Sequence, residues 1–384
     1  MMNKFRKLIS YILVAALASA LTLAMTYDPD DRPSKLDQLE RILLERFIGE
    51  KDQTAMEDAA AKAMVESLGD RWSHYMSATA YRDYKERMAN SYVGIGITIQ
   101  AREDQIGFDV LKVNENGPAD QAGMLAGDIL IGVEGQSVEG MNPDQARDLV
   151  RGKENTQVSI TVLRNGEEMT LSVTRMQVQT PVATAKMLEG NVGLVTIVNF
   201  DSRCASETIA AIEQLLEDGA EKLIFDVRNN PGGYADELVK VLDYLLPKGE
   251  LFRTVDYRGK ESVDRSDAKC LEGVPMAVLV NGNSYSAAEF FAAALSEYEA
   301  AVVVGEPTTG KGYFQVTYEL VDGSAVGVSI GKYFTPKGKS LAEEGGIVPD
   351  VEVSVDEETF AKIYAGTLDP MEDPQILAAI GAMK

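Results

Sequence analysis

The sequence predicts an α/β protein: a largely parallel sheet with helices, interrupted by an inserted β-rich domain and preceded by a helical region. Three observations predict it. Beyond about residue 190, apolar runs such as Lys222–Val227 and Met276–Val280 alternate with helical stretches, the order of a parallel sheet with right-handed crossovers. Between Tyr92 and Arg175, short apolar runs are separated by glycine-containing turns such as Asn165-Gly166. Before about residue 90, Leu36, Leu39, Leu43, Leu44 and Phe47 recur at helical spacing behind a capping Ser34.

Composition bounds the function. The chain has 384 residues, 45% hydrophobic and 25% charged, enough for a sizeable core and several domains. A net charge of −23 excludes a nucleic-acid partner, because phosphates demand a basic face. Cys204 and Cys270 fit no metal-ligand spacing and are open to forming one bridge. No metal and no cofactor is called for.

The chain divides into residues 1–27, 28–90, 91–176 and 177–384. In the first part, Lys4, Arg6 and Lys7 precede an uncharged run from Leu8 to Met25, and Asp28, Asp30 and Asp31 follow it. Such a run spans roughly 27 Å as a helix, close to the bilayer's apolar thickness of about 30 Å. Basic residues before it and acids after it orient the remainder away from the cytoplasm. Ala18-Ser19-Ala20 offers a small-residue cleavage site. The run continues past it, which favours an uncleaved anchor and a single-pass membrane attachment over a secreted chain. A second helix is expected from Thr54 to Leu68, and His74, the chain's one histidine, has no acid or cysteine at ligand spacing and reads as structural.

In residues 91–176 the expected strands are Val93–Ile99, Gly107–Val113, Ile129–Val133 and Val158–Arg164, with helices at Ala119–Ala122 and Asn142–Val150. Tyr92-Val93-Gly94-Ile95-Gly96, Gly117-Pro118-Ala119-Asp120-Gln121-Ala122-Gly123-Met124 and Gly127-Asp128-Ile129-Leu130 resemble a PDZ domain. A glycine loop before a strand points backbone amides at a carboxylate, and the strand edge pairs with an extended peptide. Tyr92, Val93, Gly94, Ile95 and Gly96 are therefore the expected tail-binding residues. As a dinucleotide signal Gly94-Ile95-Gly96 fails, since Ile99 stands where a third glycine is required.

In the last part, Val192–Asn199 reads as a strand, Ala205–Glu217 as a helix, Asp236–Leu246 and Ala287–Glu297 as helices, and Ala301–Val304 as a strand. Tyr313–Leu320 and Ala325–Tyr333 look like an appended hairpin. Ser286 falls where strand 276–280 turns into a helix, whose free amides and positive dipole end favour an oxyanion. Taken alone, Ser284 and Ser286 read as helix caps. Lys311, between Gly310 and Gly312, changes the weighing: an amine kept neutral by burial can serve as the base that histidine usually supplies. Gln315 is a neutral partner able to orient that amine, although four extended residues span about 13 Å and the chain must bend for the two to meet. Gly305–Lys311 fits seven positions of a phosphate-binding loop, but Gly312 occupies the eighth, where serine or threonine is needed.

Several motifs agree in order: Asp226-Val227-Arg228-Asn229-Asn230-Pro231-Gly232-Gly233, the Ser286 segment, Gly305–Gly312, Tyr333-Phe334-Thr335-Pro336-Lys337-Gly338 and Gly345–Asp350. Together they resemble the carboxyl-terminal processing peptidases, the tail-specific proteases of serine peptidase family S41. That resemblance implies a ClpP/crotonase-like core interrupted by a PDZ domain that recognises apolar carboxyl termini of protein or peptide substrates. It implies Ser286 as nucleophile, Lys311 as general base, Gln315 as the residue orienting the lysine, and the Gly233 and Ala287 amides as the oxyanion hole. It also implies that a homodimer is open, as in some members. Tyr285 and Ala288 depart from the family pattern, which is usually small at the first position and often serine at the second. Two alternatives stand beside it: an anchored PDZ scaffold with an inactive protease-like core, and a crotonase-type acyl-CoA enzyme on the same architecture.

Overall fold

A computed structural model describes residues 34–102, 104–267 and 269–383. The expected membrane or signal segment, residues 1–27, lies outside them. Among the described residues no helix is long and apolar enough to cross a membrane.

Residues 34–69 form one unit and residues from Asp70 another. The first holds helix Lys35–Arg46, closed by a capping box in which Ser34 and Asp37 bond reciprocally, and helix Gln53–Glu66, capped by Asp52. Here the leucines expected to form a packing stripe are uncovered: Leu36, Leu39, Leu43 and Phe47 are all exposed.

The second unit contains the expected parallel sheet. Ala183–Leu188 runs antiparallel to Val192–Ile197, and Lys222–Asp226, Met276–Val280, Ala301–Gly305 and Val351–Glu352 follow in parallel. Successive side chains point to opposite faces, and both faces are covered. Leu223, Phe225, Val278 and Val280 pack with helices Cys204–Glu217, Ala235–Leu245 and Ala287–Glu297. Ile224, Ala277 and Leu279 pack under helix Pro374–Ala382. Helix Ala287–Glu297 is buried on every side from Ala287 to Leu295, with Phe291 edge-on to Phe225 at 5.4 Å. A helix apolar around its circumference except at Glu289 is stable only in such a place.

The hairpin expected as an appendage is central to a second sheet. Ala325–Phe334 pairs with Tyr313–Glu319 on one edge, and on the other with His74–Met76 and Glu250–Asp256, which in turn pairs with Glu261–Arg265. The correction has a simple cause: His74–Met76 pairs with residues far along the chain, and no local pattern announces such a partner.

The β-rich region forms its own sheet around its own core: Ile97–Ala101, Phe108–Val113, Ile129–Val133, Gln157–Arg164 and Glu167–Thr174. Its first expected strand is broken at Ile95-Gly96, where Gly96 takes φ +76°. The piece Ser91–Gly94 instead pairs with Met176–Gln179, so the entering and leaving segments of this region form one two-stranded ribbon.

Candidate active site

Strand Met276–Val280 ends in a tight turn that delivers Ser286 to the first turn of helix Ala287–Glu297. Ser286 has φ 58° and ψ −126°, a conformation that side-chain-bearing residues rarely adopt and that costs on the order of 1–3 kcal/mol. Neighbouring bonds hold it there. The Ser284 hydroxyl donates to the Val227 carbonyl at 2.7 Å and accepts from the Asn281 amide at 3.0 Å; the Tyr285 amide donates to the Asn230 carbonyl at 3.2 Å. Asn230, fully buried, donates to the Ile197 carbonyl and accepts from the Gly232 amide, both at 2.8 Å. Three strand ends are thereby stapled into one platform.

Glycine at 232 is required by that platform. Its φ is +84°, and a Cβ there would lie 2.7 Å from Ser286 Cβ and 2.8 Å from the Ala287 nitrogen. The bridge beside it uses the Gly232 carbonyl and the Tyr234 amide, both bonded to Phe200, which leaves the Gly233 N–H outside that pairing. Ala287 begins the helix, and first-turn amides have no intrahelical partner. Gly233 lines the same cavity as Ser286, and Ala287 follows Ser286 directly at the helix start.

A residue to which the sequence reading gave no role organises the site. Glu289 is completely buried. Its carboxylate accepts from the Ser286 amide at 2.9 Å, the Thr308 hydroxyl at 2.5 Å, the Gly310 amide at 2.7 Å and the Lys311 amide at 2.8 Å. Charge-assisted bonds of this kind are about twice as strong as neutral ones. One side chain therefore fixes the lysine loop against the serine turn. The signal was legible: Ser286-Ala287-Ala288-Glu289 has the spacing of a capping box.

Ser286, Lys311, Gln315 and Gly233 line one cavity of about 840 Å³, walled also by Trp72, His74, Tyr84, Tyr234, Tyr285 and Tyr333. Burial pushes the Lys311 amine below the ordinary lysine range, and Glu289 opposes part of that push. The amine lies 5.3 Å from the Trp72 ring centroid and 5.6 Å from that of Tyr285. Lys311 and Gln315 share the cavity; beside them the partner strand carries one extra residue, Ile330, between the pairs Phe314–Gly331 and Gln315–Ser329. The Gln315 amide nitrogen donates to the Tyr313 carbonyl and the Ser329 hydroxyl, both at 3.1 Å. Only its carbonyl oxygen is left to face an amine. His74 stands exposed at the wall, its Nδ1 2.9 Å from the Trp72 carbonyl. Cys204 and Cys270 are free thiols, the first buried with its thiol pushed up to about 12 by burial.

Tyr92, Gly94, Ile95 and Gly96 line a second cavity, of about 370 Å³, between strand Ile97–Ala101 and helix Pro143–Val150; Ile99, Leu130, Arg147, Val150 and Arg151 complete it. Val93 is not among its walls, since alternate residues of Ser91–Gly94 face opposite ways. Ile97–Ala101 is the outermost strand of its sheet, so one backbone edge is open to an added strand.

Residues 191–353 match the profile of peptidase family S41, and residues 110–164 that of the PDZ domain. The carboxy-terminal processing protease CtpA of Bacillus subtilis (strain 168) is 31% identical over 94% of this chain and 80% of its own length. A probable CtpA-like serine protease of Staphylococcus aureus (strain N315) is 34% identical over 83% of this chain. The chain spans 64% of the length of that Staphylococcus relative. A solved photosystem II D1 C-terminal processing protease is 28% identical over 84% of this chain and 87% of its own, with a TM-score of 0.47.

Proposed function

The chain belongs to the carboxy-terminal processing proteases of peptidase family S41, and from that premise we propose that it is a serine endopeptidase acting outside the cytoplasm on proteins recognised by their tails. The observation that carries this reading is that Ser286, Lys311, Gln315 and Gly233 line one cavity, with Glu289 tying the serine turn to the lysine loop.

In the proposed reaction the groove beside Ile97–Ala101 holds an apolar carboxyl terminus by strand addition while an extended stretch of the same substrate reaches Ser286. Neutral Lys311 takes the hydroxyl proton as the serine oxygen attacks the scissile carbonyl. The oxyanion rests on the two amides, the ammonium returns the proton to the leaving amine, and water hydrolyses the acyl-enzyme. Gln315 orients the lysine through its carbonyl oxygen. The location outside the cytoplasm and attachment by one membrane span rest on the basic–apolar–acidic order of residues 4–31.

The test is cleavage of a protein bearing an apolar tail, with fluorophosphonate labelling of Ser286 in parallel. Ser286→Ala and Lys311→Ala are each expected to abolish cleavage with the fold intact, and Lys311→Arg to fail as well, because guanidinium does not deprotonate. Retained turnover in Ser286→Ala or Lys311→Ala refutes the assignment.

A further inference from the structure

The base amine sits between two ring faces. Lys311 Nζ is 5.3 Å from the Trp72 centroid and 5.6 Å from the Tyr285 centroid, both within the roughly 6 Å over which a ring face attracts a cation. The two rings come from distant parts of the chain and are anchored separately. Trp72 belongs to a turn closed by Asp70, which accepts from the Trp72 amide at 3.2 Å and from the Ser73 hydroxyl at 2.5 Å. Ser73 in turn accepts from the Ser329 amide at 3.0 Å, and Ser329 is the residue that accepts from Gln315. Tyr285 is fixed from the other side, through its amide on Asn230 and its place directly before Ser286.

We propose that Tyr285 and Trp72 are positioning residues of the proposed reaction, holding the Lys311 amine beside Ser286 and setting the pH at which it becomes a base. The inference rests on the serine–lysine reading given above. Two effects oppose each other. The walls around the half-buried amine disfavour its charge, whereas the negative ring faces favour it. Other charged or titratable groups facing this space are Glu289 beneath the lysine loop, Arg71 and His74 on the Trp72 segment, Tyr81, Tyr84 and Lys85 on helix Ala78–Met88, and Tyr234 and Tyr333. Arg71 also lies over Trp72, 4.6 Å from its centroid, so Trp72 divides its attraction between two cations. Tyr285 is the cleaner probe.

The experiment measures the rate of fluorophosphonate labelling of Ser286 in the full chain against pH, for the unaltered protein and for Tyr285→Leu, Tyr285→Phe and Trp72→Leu. Leucine keeps the apolar wall and removes the ring face; phenylalanine keeps the face and removes the hydroxyl. Tyr285→Leu is expected to move the midpoint of the acid limb down by about half to one pH unit, with labelling on that limb about three- to ten-fold faster. Tyr285→Phe is expected to leave the midpoint in place. A midpoint that stays or rises in Tyr285→Leu overturns the inference, as does an equal shift in Tyr285→Phe. If Tyr285→Leu does not fold, Trp72→Leu must shift the midpoint in the same direction, and its failure to do so is equally decisive. Lys311→Ala separates this inference from its premise: labelling that keeps its acid limb without Lys311 removes the serine–lysine reading itself, whereas unmoved ring variants alongside an inactive Lys311→Ala remove only the ring faces.

Discussion

The serine turn and the tail groove are built by opposite means. At the serine turn, buried side chains take up backbone amides one by one: Asn230 binds Gly232, Ser284 binds Asn281, and Glu289 binds Ser286, Gly310 and Lys311. These bonds hold a strained Ser286 in place. Around the groove Ile95, Ile97, Ile99, Leu130 and Val150 form apolar walls with Arg147 and Arg151 beside them, and the edge of Ile97–Ala101 keeps its backbone open. Bond-breaking chemistry needs donors set before the substrate arrives, whereas tail capture needs an edge that many sequences can join. The difference predicts that substitutions at the first region act on rate and stability, and those at the second on substrate affinity.

The largest effect tests the strain. Ser286→Gly removes the proposed nucleophile and places at φ 58°, ψ −126° the residue suited to it. Cleavage is expected to fall by about 10⁴-fold or more, while stability rises by roughly 1 kcal/mol, read from denaturant unfolding. A loss of stability would show that Ser286 is not strained. Next comes Glu289→Ala, which strands three amides and the Thr308 hydroxyl in a buried place. It is expected to cost about 3–5 kcal/mol in thermal unfolding and to lose labelling of Ser286. A near-neutral result would mean the lysine loop is held some other way.

Gly232→Ala places a Cβ against Ser286 and the Ala287 nitrogen, and about 10²-fold in kcat is expected to go, with KM little changed. The pH profile follows in size. Burial holds the Lys311 amine below the ordinary lysine range, and as the proposed base it would act only when neutral, so activity is expected to fall as pH falls through its lowered value. Below that limb each pH unit costs about tenfold; a rate flat from neutral to acid pH would contradict lysine as base. The smallest effect belongs to the groove: Ile99→Asp is expected to raise KM for a tail-bearing substrate by about tenfold and to leave fluorophosphonate labelling unchanged. Loss of labelling there would mean that the two regions are not separable in this way.

Much of this site is legible along the chain because its parts are local. The serine turn, the glycine pair Gly232-Gly233 and the Gly310–Gly312 loop each sit at the end of an apolar run whose strand character is plain from composition. Even Glu289 is announced by its spacing from Ser286, as half of a helix cap. What that spacing cannot convey is that the same carboxylate also binds residues 308, 310 and 311, since those bonds exist only once strand Ala301–Gly305 lies beside strand Met276–Val280.

The sequence by itself determined the alternation of elements, the platform of glycines and the residues proposed for acyl transfer, because helix, strand and turn preferences act over a few positions. Tertiary structure alone decided which groups surround the lysine. His74–Met76 joins the sheet of the hairpin, and Ser73 reaches Ser329, from segments some 250 residues apart, which brings Trp72 over the amine. It also decided that Gln315 bonds Ser329. Pairing between remote strand edges depends on which backbone edges remain open after the whole chain has packed, and no stretch of sequence read by itself contains that information.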